Sequence, residues 1–99
     1  MMINIQSIHF KLDDKLQHHI ESKIQKIQQI FNKIESADIY LKLDQTVGEV
    51  HEKHVEIKLL MPGAKIFSKD ASNSFEHAFD LAYEQAKKQL IKRKEFQRL

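Results

Sequence analysis

Ninety-nine residues are enough for one domain and too few for two, since an independent core takes about 100–150 residues. A composition of 41% hydrophobic and 30% charged residues is that of a chain that folds, and the absence of cysteine excludes disulfides, thiolate zinc sites and cysteine nucleophiles. The net charge is a modest +2, no apolar run approaches the ~20 residues that span a bilayer, and the N-terminal MMINIQSIHF has neither a basic start nor an unbroken apolar stretch, so a soluble, cytoplasmic protein with no membrane partner is expected.

Ile3 and Ile5 alternate with Asn4 and Gln6, the period of two of a half-buried strand. Asp13 offers an N-cap. Leu16, Ile20, Ile24, Ile27, Phe31 and Ile34 then recur at spacings of three and four, which predicts a helix from about Asp14 to Lys33, ~30 Å long and therefore laid across a sheet. Ile39, Leu41 and Leu43 alternate with Tyr40, Lys42 and Asp44, and Val55, Ile57 and Leu59 with Glu56 and Lys58. These are two neighbouring strands joined by a polar connection that holds Gly48. Pro62-Gly63 supplies the next turn, since proline presets one φ and glycine permits a positive one, and a short strand runs from Lys65 to about Lys69. Asp70, Ser72, Asn73 and Ser74 are capping candidates, with Asn73 and Glu76 at the spacing of a capping box. Phe75, Phe79, Ala82, Ala86 and Leu90 mark the last helix, whose small residues allow close packing.

The order β-α-β-β-β-α, without internal repeat, low-complexity tract or linker, predicts an α+β domain of two layers. A four-stranded sheet carries both helices side by side on one face. A right-handed crossover through the first helix sets strands one and two parallel, and the short connections make strands two, three and four antiparallel.

No catalytic, metal or cofactor site can be written from these residues. His51-Glu52-Lys53-His54 has its histidines three apart, where zinc-protease chemistry needs four on a helix, and in a strand residues three apart point to opposite faces. His18 and His19, adjacent on a helix, diverge by about 100°. His9 and His77 have no evident partner. A serine elbow is missing, and two glycines in the whole chain exclude a phosphate-cradling loop, a dinucleotide fingerprint and the GXXG clamp of KH domains. Neither an enzyme nor a small-molecule substrate is expected.

The basic residues are better organised. Residues 84–99 carry Lys87, Lys88, Lys92, Arg93, Lys94 and Arg98 against Glu84 and Glu95, a net +4, whereas residues 1–83 carry ten lysines and twelve carboxylates, a net −2. On the first helix His19, Lys23, Lys26 and Lys33 fall in one row on the shoulder of the apolar stripe. On the last, Lys88 and Lys92 form an i, i+4 row on one shoulder, while Lys87 and Lys94 flank the core on the other. Such rows can meet a phosphate backbone, or simply solvate the helices and complement a helix C-terminus. Lys53, in the strand connection, is expected to be uninvolved. An alternative reading is a protein-interaction module that uses the open face of the sheet, where Tyr40, Phe67 and Leu60 would be exposed.

These residues resemble the ribosome hibernation factors, also called ribosomal subunit interface proteins, and in particular their short hibernation-promoting form and protein Y. The likeness runs through nearly the whole chain, from Ile3-Asn4-Ile5 through Lys23-Ile24-Gln25-Lys26-Ile27, Phe31-Asn32-Lys33-Ile34 and Leu41-Lys42-Leu43. It is clearest in Ala78-Phe79-Asp80, Gln89-Leu90 and Lys92-Arg93-Lys94, similar to the family's Ala-Ile-Asp, Gln-Leu and Lys-x-Lys. The resemblance implies a fold akin to double-stranded RNA-binding domains with an extra first strand. It further implies a non-enzymatic translation inhibitor that occupies the channel of the small ribosomal subunit used by mRNA and the A- and P-site tRNAs, preserving idle ribosomes in stress or stationary phase. By matched position, Lys23, Lys26, Lys33, Lys42, Lys88, Lys92 and Lys94 are the implied contacts to 16S rRNA. The chain departs from the pattern at Ser74-Phe75-Glu76, where the family has Asp-Met-Tyr, and at Gln85, where it has a basic residue. Because the sequence stops directly after the last helix, residues 1–99 are expected to form a single ribosome-binding domain without the C-terminal dimerisation domain of long hibernation factors. A separate ribosome-dimerisation factor is then a candidate partner.

Overall fold

Alternating burial forms the first strand, β1 (Met2–Ile8), and the Asp13 carboxylate then accepts the Leu16 N–H at 2.7 Å, capping α1 (Asp14–Ile30). The computed structural model describes residues 1–44 and 52–97, with side chains as far as Arg93. Its remaining elements are β2 (Ser36–Asp44), β3 (Glu52–Met61), β4 (Ala64–Ser72) and α2 (Phe75–Gln97). Gly48 and His51 lie outside the described residues.

The strands lie in the order β1-β2-β3-β4. β1 runs parallel to β2 with Ile5 opposite Ile39, and β2, β3 and β4 are successively antiparallel with Ile39 opposite Ile57 and Ile57 opposite Ser68. Helix α1 is the crossover of the parallel pair and α2 covers β3 and β4, so both helices sit on one face, the two-layer α+β arrangement that the periodicity predicts. Between the layers Ile20, Ile24 and Ile27 of α1 and Phe79, Ala82 and Leu90 of α2 meet Ile39, Leu41, Val55, Ile57 and Leu59. The Ser68 hydroxyl, buried on the core face of β4, donates to the Ala82 carbonyl at 2.8 Å and ties α2 to the sheet. Phe10 stacks on Phe75 with ring centres 4.3 Å apart and closes one end of the core.

Five local expectations change. Helix α1 stops at Ile30 rather than near Lys33, because Phe31 leaves helical geometry (φ −122°, ψ 80°) while still giving its N–H to Ile27. The Ile34 N–H turns back to the Phe31 carbonyl and the Glu35 N–H joins Leu60 of β3, so the sheet claims the chain there. The spacing of Ile27, Phe31 and Ile34 is helical, but a turn brings the same three side chains to the core. Strand β4 extends past Lys69 to Ser72, which pairs with Lys53; the run Asp70 to Ser72 looks like a loop in the sequence because its residues are polar, yet its backbone continues the ladder. The cap of α2 is Ser74, whose hydroxyl accepts the His77 N–H at 3.1 Å, and not Asn73. His77 also has a partner, its Nδ1 lying 2.7 Å from the Ser72 hydroxyl. Lys53 belongs to β3 and donates to the Asn73 carbonyl at 2.9 Å, so it helps hold the β4–α2 connection.

The turn between β3 and β4 is the two residues Pro62 and Gly63, bracketed by the pair Met61 and Ala64, and Gly63 takes the positive φ of 71° that this turn needs.

Phe79 is fully buried whereas Phe67, on the far face of the sheet, is 48% exposed. Phe79→Ala should therefore lower the unfolding free energy by about 3–5 kcal/mol, and Phe67→Ala should change it by no more than about 0.5 kcal/mol, as measured by urea denaturation.

Candidate nucleic-acid interface

The two helices run in the same direction. His19 of α1 faces Asp80 of α2, Lys23 faces Asp80 and Tyr83, and further along Ile30 and Leu90 line one cleft. The contacts at the first of these points are specific. His19 Nε2 lies 2.8 Å and Lys23 Nζ 3.2 Å from the same Asp80 oxygen, and the Lys23 ammonium stands 5.1 Å from the centre of the Tyr83 ring. Partial burial pushes the Asp80 carboxyl up, but hydrogen bonds from His19 and Lys23, with the attraction of their charge, outweigh it and hold the group below its usual range. Burial, with the charge of Glu84, pushes the Tyr83 hydroxyl up.

This clasp orients the basic rows. The shoulder of α1 bearing His19, Lys23 and Lys26 is the one that faces α2. Lys87, seven residues after Asp80, falls on the same stripe of α2, which therefore faces α1. Lys26 is exposed and Lys87 half-buried beside this groove, whereas Lys23 has its charge engaged by Asp80. The side chain of Lys94 lies outside the described residues. Lys88 and Lys92 are exposed on the opposite flank of α2. That flank adjoins β4, where Gln89 donates to the Phe67 carbonyl at 2.8 Å and Gln85 to the Asp70 carboxylate at 2.7 Å. Gln85, at the position where a cation was expected, thus ties the helix to the edge strand.

Of the seven implied lysines, Lys33 leaves its helix row and Lys42 lies on the sheet, as its alternation with Leu41 predicts. Lys33 sits in the turn after α1, not on the helix, and lines the cleft at the far end of the groove together with Arg93. Lys42 opposes His54 on the open face of the sheet, away from the helices, because Leu41 takes the core side of β2. Lys58, Lys65 and Lys69 share that open face. Among its apolar residues, Phe67 stands opposite Lys58, Tyr40 between Gln6 and Glu56, and Leu60 between Ser36 and Lys65. Tyr40 and Leu60 are half-buried, and the exposed Met2 and Phe67 stand apart with Ser36, Lys58 and Lys65 among them, so the open face offers separate apolar side chains rather than a continuous patch.

Lys87 and Arg93 are residues of the helix layer that matched positions did not select. The spacing of seven from Asp80 to Lys87 was the available sign for the first. For the second there was none, since Arg93 continues the apolar stripe by angle and becomes exposed because the sheet ends beneath it. On β3, His54 Nε2 lies 3.5 Å from the Asp44 and 3.4 Å from the Glu52 carboxylate, and no set of three such groups able to hold a metal ion converges among the described residues. No described helix is long and apolar enough to cross a membrane.

Asp80→Asn should lower stability at pH 7 by up to about 1 kcal/mol, the range of a half-exposed ion pair. The wild-type carboxylate is held below its ordinary 3.8, so its contribution is present above that value and is lost as the pH falls through the depressed one. Denaturation curves of the two proteins should therefore differ at neutral pH and converge in strong acid.

Comparison with known proteins accounts for this arrangement. The pattern of the family described as Sigma 54 modulation protein / S30EA ribosomal protein matches residues 3–98. The ribosome hibernation promoting factor of Azotobacter vinelandii is 29% identical over 97 residues, which cover 98% of this chain and 86% of that protein. A ribosomal subunit interface protein from Coxiella burnetii superimposes with a TM-score of 0.82 at 22% identity, covering 95% of this chain and 98% of that one. The N-terminal domain of Thermus thermophilus protein Y does so with a TM-score of 0.75 at 19% identity, covering 90% and 94%. The order β-α-β-β-β-α is that of both structures, and a family pattern that spans the chain from the first strand to the end of the last helix places it in the Sigma 54 modulation protein / S30EA family, that of the ribosome hibernation factors.

Proposed function

We propose that this domain binds the small ribosomal subunit through its helix layer and keeps idle ribosomes inactive by occupying the channel that mRNA and tRNA would use. The observation that carries the reading is the full-length family match, and the helix layer supplies its chemistry. Lys26 and Lys87 beside the groove, and Lys88 and Lys92 on the outer flank, present exposed or half-exposed ammonium groups at helical intervals. Phosphate contacts of this kind supply affinity and register without reading sequence. Lys23 contributes less to such a contact, since Asp80 already balances its charge, and Lys42 serves only RNA that reaches the other face of the sheet. Inhibition by occupancy needs no nucleophile, metal or cofactor. The work is done in the cytoplasm on ribosomes, and a separate dimerisation factor is a compatible second partner.

Replacing Lys88 and Lys92 together by glutamate should weaken binding to purified small subunits and leave the circular dichroism spectrum unchanged, because both side chains are exposed. For every phosphate that is no longer neutralised, the slope of log affinity against log salt should fall by roughly 0.7–0.9. Unchanged affinity with the fold intact would reduce these lysines to solvation. Lys65→Glu, on the open face, is the matched control and should leave affinity nearly unchanged.

Occupancy also fixes how inhibition ends. Titrated into a translation extract, the protein should inhibit in proportion to the ribosomes present, and added mRNA and initiator tRNA should relieve it. A high-salt wash should restore full activity; ribosomes that stay inactive with cleaved or modified rRNA would show a catalytic mechanism instead.

A further inference from the structure

At the end of the groove away from the Asp80 clasp, an open cleft of about 590 Å³ lies where α1 turns into β2. Its apolar lining includes Ile30, Phe31, Met61 and Leu90, and its polar lining includes two cations, Lys33 and Arg93, with one carboxylate, Glu35. Ile30 is 53% exposed there, an uncommon placement for an isoleucine on a helix whose other isoleucines are buried. The geometry points to a site for one unpaired nucleotide of an RNA strand whose base carries an exocyclic amino group. The base lies against Ile30 and the ring edge of Phe31, its phosphate is held by Lys33 and Arg93, and its amino group donates to Glu35. This inference rests on the RNA-binding reading of the helix layer and names what its far end takes.

Three observations favour that occupant. The volume is that of a small-ligand site, large enough for a nucleotide. Mixed charge selects against the simpler alternatives, since an acidic peptide would meet Glu35 and a basic one would meet Lys33 and Arg93. A nucleotide with an amino-bearing base satisfies both, because a phosphate accepts from the cations and an amino group donates to the carboxylate. By helical spacing Lys26 and Lys87 also fall between the Asp80 clasp and the cleft, so a strand tracking that row arrives at the cleft mouth. A base paired in a helix is stacked and has its amino group engaged, so the nucleotide must be unpaired.

The test compares labelled short oligocytidylate and oligouridylate by fluorescence anisotropy at low salt, since uracil lacks the amino group. Wild type should bind the cytidine strand about fivefold more tightly, the size of one added hydrogen bond. Glu35→Ala should erase that preference and leave uridine binding unharmed. Ile30→Glu should weaken both strands by about tenfold, as expected when the surface on which a base lies is removed. Arg93→Ala should weaken both and lower the salt slope by about 0.7. All three side chains are exposed, and circular dichroism checks the fold of each variant. Equal affinity for the two strands, or a preference that survives Glu35→Ala, overturns the inference. So does cytidine monophosphate competing as well as the oligomer, which would make a free nucleotide the ligand. Binding to purified small subunits separates the two levels: a protein that binds them but shows equal strand affinities loses the cleft alone. One that shows the preference and its disappearance in Glu35→Ala yet never binds small subunits loses the ribosome reading and keeps the cleft.

Discussion

The close seating of α2 on the sheet governs everything else in this domain. Ala78, Ala82 and Ala86 are fully or almost fully buried and have no side chain beyond the β-carbon, so the helix axis approaches β3 and β4 more closely than a leucine seam would permit. At that distance Ser68 reaches the Ala82 carbonyl, Gln89 reaches the outward carbonyl of Phe67 on the edge strand, and Gln85 reaches Asp70. The edge of β4 is thereby covered in part by the helix that packs on it, a common defence against pairing with another chain. The same seating turns the Asp80 stripe toward α1 and brings the two helices within reach of a shared carboxylate.

Asp80 then divides the basic residues into kinds. Lys23 and His19 serve the interior, joining two helices that run in the same direction through one oxygen atom, with Tyr83 under the Lys23 ammonium. The Lys23 charge is thereby largely balanced within the protein. Lys26, Lys88 and Lys92 are exposed and Lys87 half-exposed, with no ion pair to a carboxylate among the described residues, so the helix layer presents a positive field beyond the clasp. A net charge of +2 conceals this, since residues 1–83 carry a net −2 and residues 84–99 a net +4.

The two faces of the domain differ for a related reason. One face of the sheet is taken by the helices, and the other is left open with Lys42, Lys58, Lys65 and Lys69 set among Asp38, Glu56 and a few isolated apolar side chains. Cross-strand alternation of this sort keeps an uncovered sheet in water and leaves no broad apolar surface for a protein partner. The chemistry directed outward therefore concentrates on the helices and on the cleft at their far end.

The element order, the two-layer architecture and most of the core are legible in the sequence, though not Ala37, Ile66, Ala78 or Tyr83, because alternation and three-and-four spacing follow directly from strand and helix geometry. The sequence also determined the family, since a series of short motifs in fixed order survives at low identity. Which side of each helix faces the other is settled by packing, and with it that Lys23 is bound to Asp80 while Lys87 and Arg93 join the surface. Periodicity places a lysine on a shoulder but does not say which neighbour that shoulder meets. Lys33 shows the same limit, leaving its row because the sheet ends the helix at Ile30, whereas the outward turn of Lys42 already follows from its alternation with Leu41. The end of α1 depends on a backbone hydrogen bond from Glu35 to a strand distant in the chain, which local spacing does not encode.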